Sequence, residues 1–161
     1  TFPAIFAGFS ETMAFDTPVM PAEFATATMT YNGTGGMVGA QMDIDGTTDD
    51  FRACAGDAAA ATGGAGNGVR ASETLTADEW YLTRVEIGPN GNANVWVGHK
   101  GEQMDFLATS DAVHGHSFNG PVVTGTDQQY AVLMVENRTA AARVFEVNYF
   151  WGHGWRDWTN T

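Results

Sequence analysis

"WYLTRVEIGPNGNANVWVGHKGEQMDFLA", residues 80–108, is the stretch on which the fold turns. Val85 and Ile87 fall on one face of an extended chain, and so do Val95 and Val97. Alternation with period two is the signature of a half-buried strand. Between the two apolar sets lies "GPNGN" (88–92), whose Pro presets φ and whose Asn-Gly accepts positive φ, as a tight turn needs. The spacing therefore predicts an antiparallel hairpin. "GHKG" (98–101) reads as a second turn, after which "MDFLA" (104–108) continues a meander.

Outward from this hairpin, strand signals recur. "AIFAGFS" (4–10) puts Ile5, Ala7 and Phe9 on one face, and "ATATMTY" (25–31) alternates small and β-branched residues. "GMVGAQMDI" (36–44) reads as a core strand, followed closely by "FRACAG" (51–56) and, later, "VRASETL" (69–75). Between the last two, the alanines of "DAAAATGGAGNG" (57–68) are interrupted by Gly63, Gly64, Gly66 and Gly68, so a loop is expected rather than a helix. Late in the chain, "QYAVLMVE" (129–136) and "RVFEVNYFW" (143–151) are nearly continuous apolar runs joined by "NRTAAA". Such runs are expected of central strands with both faces covered. Short strands with polar turns and almost no helical periodicity predict an all-β fold, a two-sheet antiparallel β-sandwich, as a single domain over residues 1–161 with an aromatic tail at 152–161.

Composition narrows the partners. With 161 residues and 43% hydrophobic content the chain can bury a sizeable core. Seven Lys and Arg stand against nineteen Asp and Glu, for a net charge of -12, and Lys100 is the only lysine. Nucleic-acid binding needs cations to neutralise phosphates, so no nucleic-acid partner is expected, nor an anionic membrane surface. No apolar run approaches the roughly 20 residues of a membrane helix, and no basic and apolar leader opens at Thr1. Cys54 is alone, which excludes an internal disulfide and points to a buried, inert thiol.

The order of the pieces resembles a known family. "IFAGFSE" is followed by the Pro-bearing "TPVMPAE", then "GMVGAQMDIDGTTDDFRACAG" as a strand, an acidic turn and a strand. "TADEWYLTRVEIGPNGNANVWVGHKGEQM" supplies a Trp, a Leu-x-Arg-Val-Glu-like strand, a Gly-Asn turn and a strand ending at a tight Gly turn. "QYAVLMVENRTAAARVFEVNYFWG" supplies a closing hairpin, with Asn148 where Asp is common. Over residues 4–151 this resembles the concanavalin A-like jelly-roll domain of tailed-bacteriophage virion structural proteins. The resemblance implies a jelly roll of the capsid decoration or fibre type. The same fold also serves lectins and glycan hydrolases, so fold alone does not assign a task.

Four groups of residues are candidates for chemistry. The first is "MDIDGTTDDF" (42–51), with Asp43, Asp45, Asp49 and Asp50. A calcium-binding hand aligned on Gly46 would place Gln41 at its first ligand position and Arg52 at its twelfth, where a bidentate Glu belongs. Asp45-Gly46 is also a strong hairpin signal, so a turn is expected here and no metal. The second is "SDAVHGHSF" (110–118), where His114 and His116 sit two apart, with Asp111, His99 or His153 as further ligands for a transition metal. The competing reading, and the expected one, is a polar glycine-containing loop. Third, Ser110, Asp111 and His114 form no nucleophile elbow, and no Glu-x-Asp-x-x-Glu string is present. The chain is therefore expected not to be an enzyme and to need no cofactor.

The fourth is "FWGHGWRDW" (150–158), which gathers Trp151, Trp155, Arg156 and Trp158. Trp faces stack on sugars, Trp and Arg dominate protein–protein hot spots, and Trp also closes cores. All three readings are open for these residues. The leading expectation is a non-enzymatic decoration protein on the outer surface of a tailed-phage virion. It would bind the major capsid protein or other virion proteins and its own copies as a homo-oligomer. The alternative is an adhesin that binds host surface glycan.

Overall fold

A computed structural model describes residues 3–11, 16, 19–25, 28–32, 35–45, 50–56, 69–74, 76, 78–88, 91–99, 113–118, 129–138, 142, 144–147 and 150–153. The described residues form ten strands and no helix. These are β1 (Ala4–Ser10), β2 (Ala22–Ala25), β3 (Thr28–Tyr31), β4 (Met37–Met42), β5 (Asp50–Gly56), β6 (Val69–Thr74), β7 (Tyr81–Ile87), β8 (Ala93–His99), β9 (Val113–Phe118) and β10 (Tyr130–Glu136). Every pairing is antiparallel. The all-β sandwich expected from the sequence is what the chain adopts.

The largest sheet has five strands in the order β10-β1-β4-β5-β6, and a three-stranded sheet β7-β8-β9 lies across it. Between them is one core. Val38, Ala40 and Met42 of β4 and Phe51, Ala53 and Ala55 of β5 meet Ala93, Val95 and Val97 of β8 and Phe118 of β9. Ile5 and Phe9 of β1 and Tyr81, Val85 and Ile87 of β7 pack around this set, with the Phe51 and Tyr81 rings 5.8 Å apart. The opposite face of the large sheet is covered too, by the two-stranded hairpin β2-β3. Phe6, Met37, Cys54 and Val132 meet Met20, Ala22 and Phe24 there. The hairpin is a third layer beyond the two sheets expected, and it explains why all six residues of β4 are buried.

Two backbone details set this geometry. The β7–β8 turn holds Gly91 at φ 75°, with Gly91 N–H donating to Gly88 O at 2.9 Å and Gly88 N–H to Asn92 O at 2.7 Å. That is the positive-φ role read from "GPNGN". In the centre, Gly8 of β1 faces Gly39 of β4. A Cβ on Gly39 would sit 2.7 Å from Ala7 O and from the Phe6 ring, and one on Gly8 would strike the Val38 carbonyl. The missing side chain of Gly39 leaves the space in which the Phe6 ring lies, and that of Gly8 lets β1 and β4 approach closely.

Several expectations are corrected. "ATATMTY" is not one strand: β2 begins at Ala22 and β3 at Thr28, so 25–31 spans the end of one and the whole of the next. Gly98 and His99 close β8 rather than forming a turn, and "VHGHSF" is strand β9 rather than a loop. "QYAVLMVE" forms β10, but at the edge of its sheet, not the centre. In "RVFEVNYFW", residues 144–147 and 150–151 lie in no strand and are exposed. The loop at 57–68 and the strand at 104–108 lie outside the described residues.

Candidate functional site

Two regions carry unusual chemistry. The first surrounds the acidic stretch 42–51, which is the connection between β4 and β5, as read. Asp43 is more than a turn residue. Its carboxylate is buried, accepting from Phe24 N–H and Asp45 N–H at 3.1 Å each and lying 3.4 Å from the Arg138 guanidinium. Gln41, two positions earlier and so on the same face of β4, donates from Nε2 to Ala22 O. Ala22 O and Phe24 N–H belong to the edge of β2 that does not face β3. One side chain of β4 and one just past it thus bond the backbone edge of the covering hairpin, where a buried unpaired group would be costly.

Arg138 closes this corner. Just past β10, it reaches Glu23 of β2 at 2.7 Å, Asp43 at 3.4 Å and Glu136 at 3.4 Å. The hydrogen bond from Arg138 holds the Glu23 carboxyl below its ordinary 4.5, against the upward push of burial. Arg52, which the hand alignment set at the twelfth ligand position, lies with its guanidinium 4.7 Å from the centre of the Phe24 ring. Donors and cations therefore occupy the surroundings of Asp43, and they tie the three parts β2, β4 and β10 together.

The second region is apolar and open. On β10, Val132 is buried, but Leu133 is 37% and Val135 38% exposed, and Ala131 is exposed. These three pair with Ala7, Ile5 and Phe9 of β1 and share their face. The three-stranded sheet packs over β1, β4, β5 and β6, so the apolar face of β10 overhangs it. Beyond Arg138, Val144 is 89% and Trp151 77% exposed, with Phe145, Val147 and Phe150 exposed between them. Trp151 stacks on His153, ring centroids 6.0 Å apart and planes 9° from parallel.

Of the residues named from the sequence, Trp151 is placed on the surface, while Trp155, Arg156 and Trp158 lie outside the described residues. His114 and His116 sit in β9, in register with Val97 and Val95 of β8, and His99 ends β8. Ser110 and Asp111 lie outside the described residues. Among the described residues no three His, Cys, Asp or Glu gather as a metal site, and no helix is long and apolar enough to cross a membrane. Cys54 is buried, its Sγ 3.4 Å from Gly39 O, and burial pushes its thiol up to about 12. The residues that sequence reasoning missed are Gln41, Glu23 and Arg138: Gln41 reaches Ala22 across 19 positions and Arg138 reaches Glu23 across 115, with no local signal. The parity of Gln41 and Asp43 at the end of an apolar strand is the one clue the sequence holds.

Comparison of the chain with protein-family models, curated proteins and solved structures finds no match.

Proposed function

We propose that this is a non-enzymatic structural protein whose work is assembly, a capsid decoration protein on the outer surface of a tailed-phage virion. The observation that carries the assembly reading is the pair of open apolar sets, Leu133 and Val135 on β10 and Val144, Phe145, Val147, Phe150 and Trp151 beyond it. Large apolar side chains gathered at one place on a surface mark contact sites. The virion part of the proposal rests on the resemblance of residues 4–151 to virion jelly rolls. The net charge of -12 favours the outer face of a shell, since packaged nucleic acid would repel it. The partners are then the major capsid protein or other virion proteins, and further copies of the chain.

The test is immunolabelling of intact particles from the source culture with an antibody raised against the folded chain. Labelling of undisturbed particles is expected. Chain found only outside particles, or only within disrupted ones, overturns the proposal.

A second reading has one observation in its favour. Trp151 offers a wide, exposed ring already oriented by His153, and such a platform suits the apolar face of a sugar. If the chain is a glycan-binding adhesin, a glycan array gives a defined hit that Trp151→Ala abolishes.

A further inference from the structure

The two edges of the five-stranded sheet differ in kind. β6 reads "VRASET", with Arg70 and Glu73 among its six residues. Charges of this sort keep a sheet edge from pairing with another chain. β10 reads "YAVLMVE" and carries no charge or proline before Glu136. Among the described residues it is an edge strand without such charges, and its Leu133 and Val135 are partly open on one face. The same molecule holds a segment of matching character. Val144, Phe145, Val147, Phe150 and Trp151 are β-branched or aromatic, the residues that favour pleated, half-buried positions. Among the described residues they lie in no strand, and β1 is the one strand paired with β10.

We infer that the exposed segment 144–147 of one copy adds as a strand to the edge of β10 in a second copy, and that the exchange is reciprocal. Strand addition supplies main-chain hydrogen bonds to an open edge, and alternate side chains then cover the exposed face. A twofold arrangement covers both open surfaces of both copies at once, and it closes, so it yields a dimer rather than a fibre. Arg138 fixes where the exchanging segment leaves. Its bonds to Glu23, Asp43 and Glu136 pin the chain at the end of β10, six residues before Val144. Six extended residues span at most about 20 Å, enough to reach a strand laid alongside.

The inference rests on the assembly reading and specifies its contact. The first measurement is the mass of the full chain in solution by light scattering over a range of concentrations. A dimer is expected. The double variants Leu133→Asp with Val135→Asp, and Val144→Asp with Val147→Asp, are each expected to shift it to monomer while keeping the far-ultraviolet circular dichroism of the parent. A chain monomeric at every concentration, or a dimer that survives both variants, overturns the exchange.

The second measurement does not depend on charged variants folding. Leu133→Cys or Val135→Cys in one preparation is mixed with Val144→Cys or Val147→Cys in another under mild oxidant, Cys54 being buried out of the way. A disulfide joining the two preparations in at least one pairing is expected. If chains bearing both cysteines close only on themselves, the segment covers its own β10 and the exchange is wrong. Monomers that still label particle surfaces would overturn the exchange and leave the assembly reading standing.

Discussion

β4 and β10 belong to the same sheet, each separated from the other only by β1, and each is an apolar run in the sequence. Their fates differ. All six residues of β4 are buried, because β7-β8-β9 covers one face and the β2-β3 hairpin the other. β10 alternates: Val132 is buried beneath the hairpin side, while Ala131, Leu133 and Val135 stay open on the other. An apolar run shows that a strand wants cover on both faces. It does not say whether the cover comes from the same chain.

The largest expected effect strikes the β4 side. Gly39→Ala places a methyl group 2.7 Å from both the Ala7 carbonyl oxygen and the Phe6 ring. Backbone cannot step aside as a flexible side chain can, so a loss of more than about 3 kcal/mol is expected, read by urea denaturation. A neutral result would mean that β1 and β4 are not so closely apposed. Next comes Asp43→Ala, which strips two backbone donors and Arg138 of a buried acceptor. About 2 to 3 kcal/mol should be lost, whereas Asp45→Ala, at an exposed position, should stay within about 0.5 kcal/mol. Equal costs at the two aspartates would remove the distinction between a buried tie and a plain turn.

A smaller effect is set by pH. The folded state holds the Glu23 carboxyl below 4.5, chiefly through Arg138. The unfolded chain therefore takes up the proton first as pH falls. The stability contributed by Glu23 is fully present above 4.5 and is lost as pH drops through the lower, folded value. Glu23→Gln should accordingly be less stable than the parent near neutrality, with the difference shrinking in acid. A gap that is unchanged from pH 7 to pH 3 would mean that the Arg138 bond does not favour the charged form.

Much of the fold was legible because strand periodicity and turn chemistry are local. The stretches read as strands hold the described strands β1, β3, β4, β5, β6, β7, β8 and β10, or begin or end within a few residues of them. Gly91 takes the conformation its turn demanded. Coverage was not legible, because it depends on which surfaces meet. Nothing near "AEFA" says that it will roof β4, and nothing near Arg138 names Asp43, 95 positions away. "RVFEVNYFW" has the composition of a strand, yet its described residues, 144–147 and 150–151, lie in none. For the candidate site, Trp151 was singled out and is exposed, but the open face of β10 was read as the covered face of a central strand.

The smallest expected effect sharpens the comparison most. Val38 of β4 and Leu133 of β10 both face the β7-β8-β9 side of the sheet. Val38→Ala removes two methyl groups from a packed core and should cost about 2 kcal/mol. Leu133→Thr should cost less, about 1 kcal/mol, in a dilute solution of single chains, because over a third of the leucine is already in water there. Raising the protein concentration should change only the second value. If a second copy covers β10, the parent gains stability by association and the threonine variant gains less, so the gap between them widens as concentration rises. The Val38→Ala gap stays constant, since that residue is covered within each chain. A Leu133→Thr cost of about 2 kcal/mol at every concentration would mean that β10 is roofed by its own chain, and the contrast between the two strands would vanish.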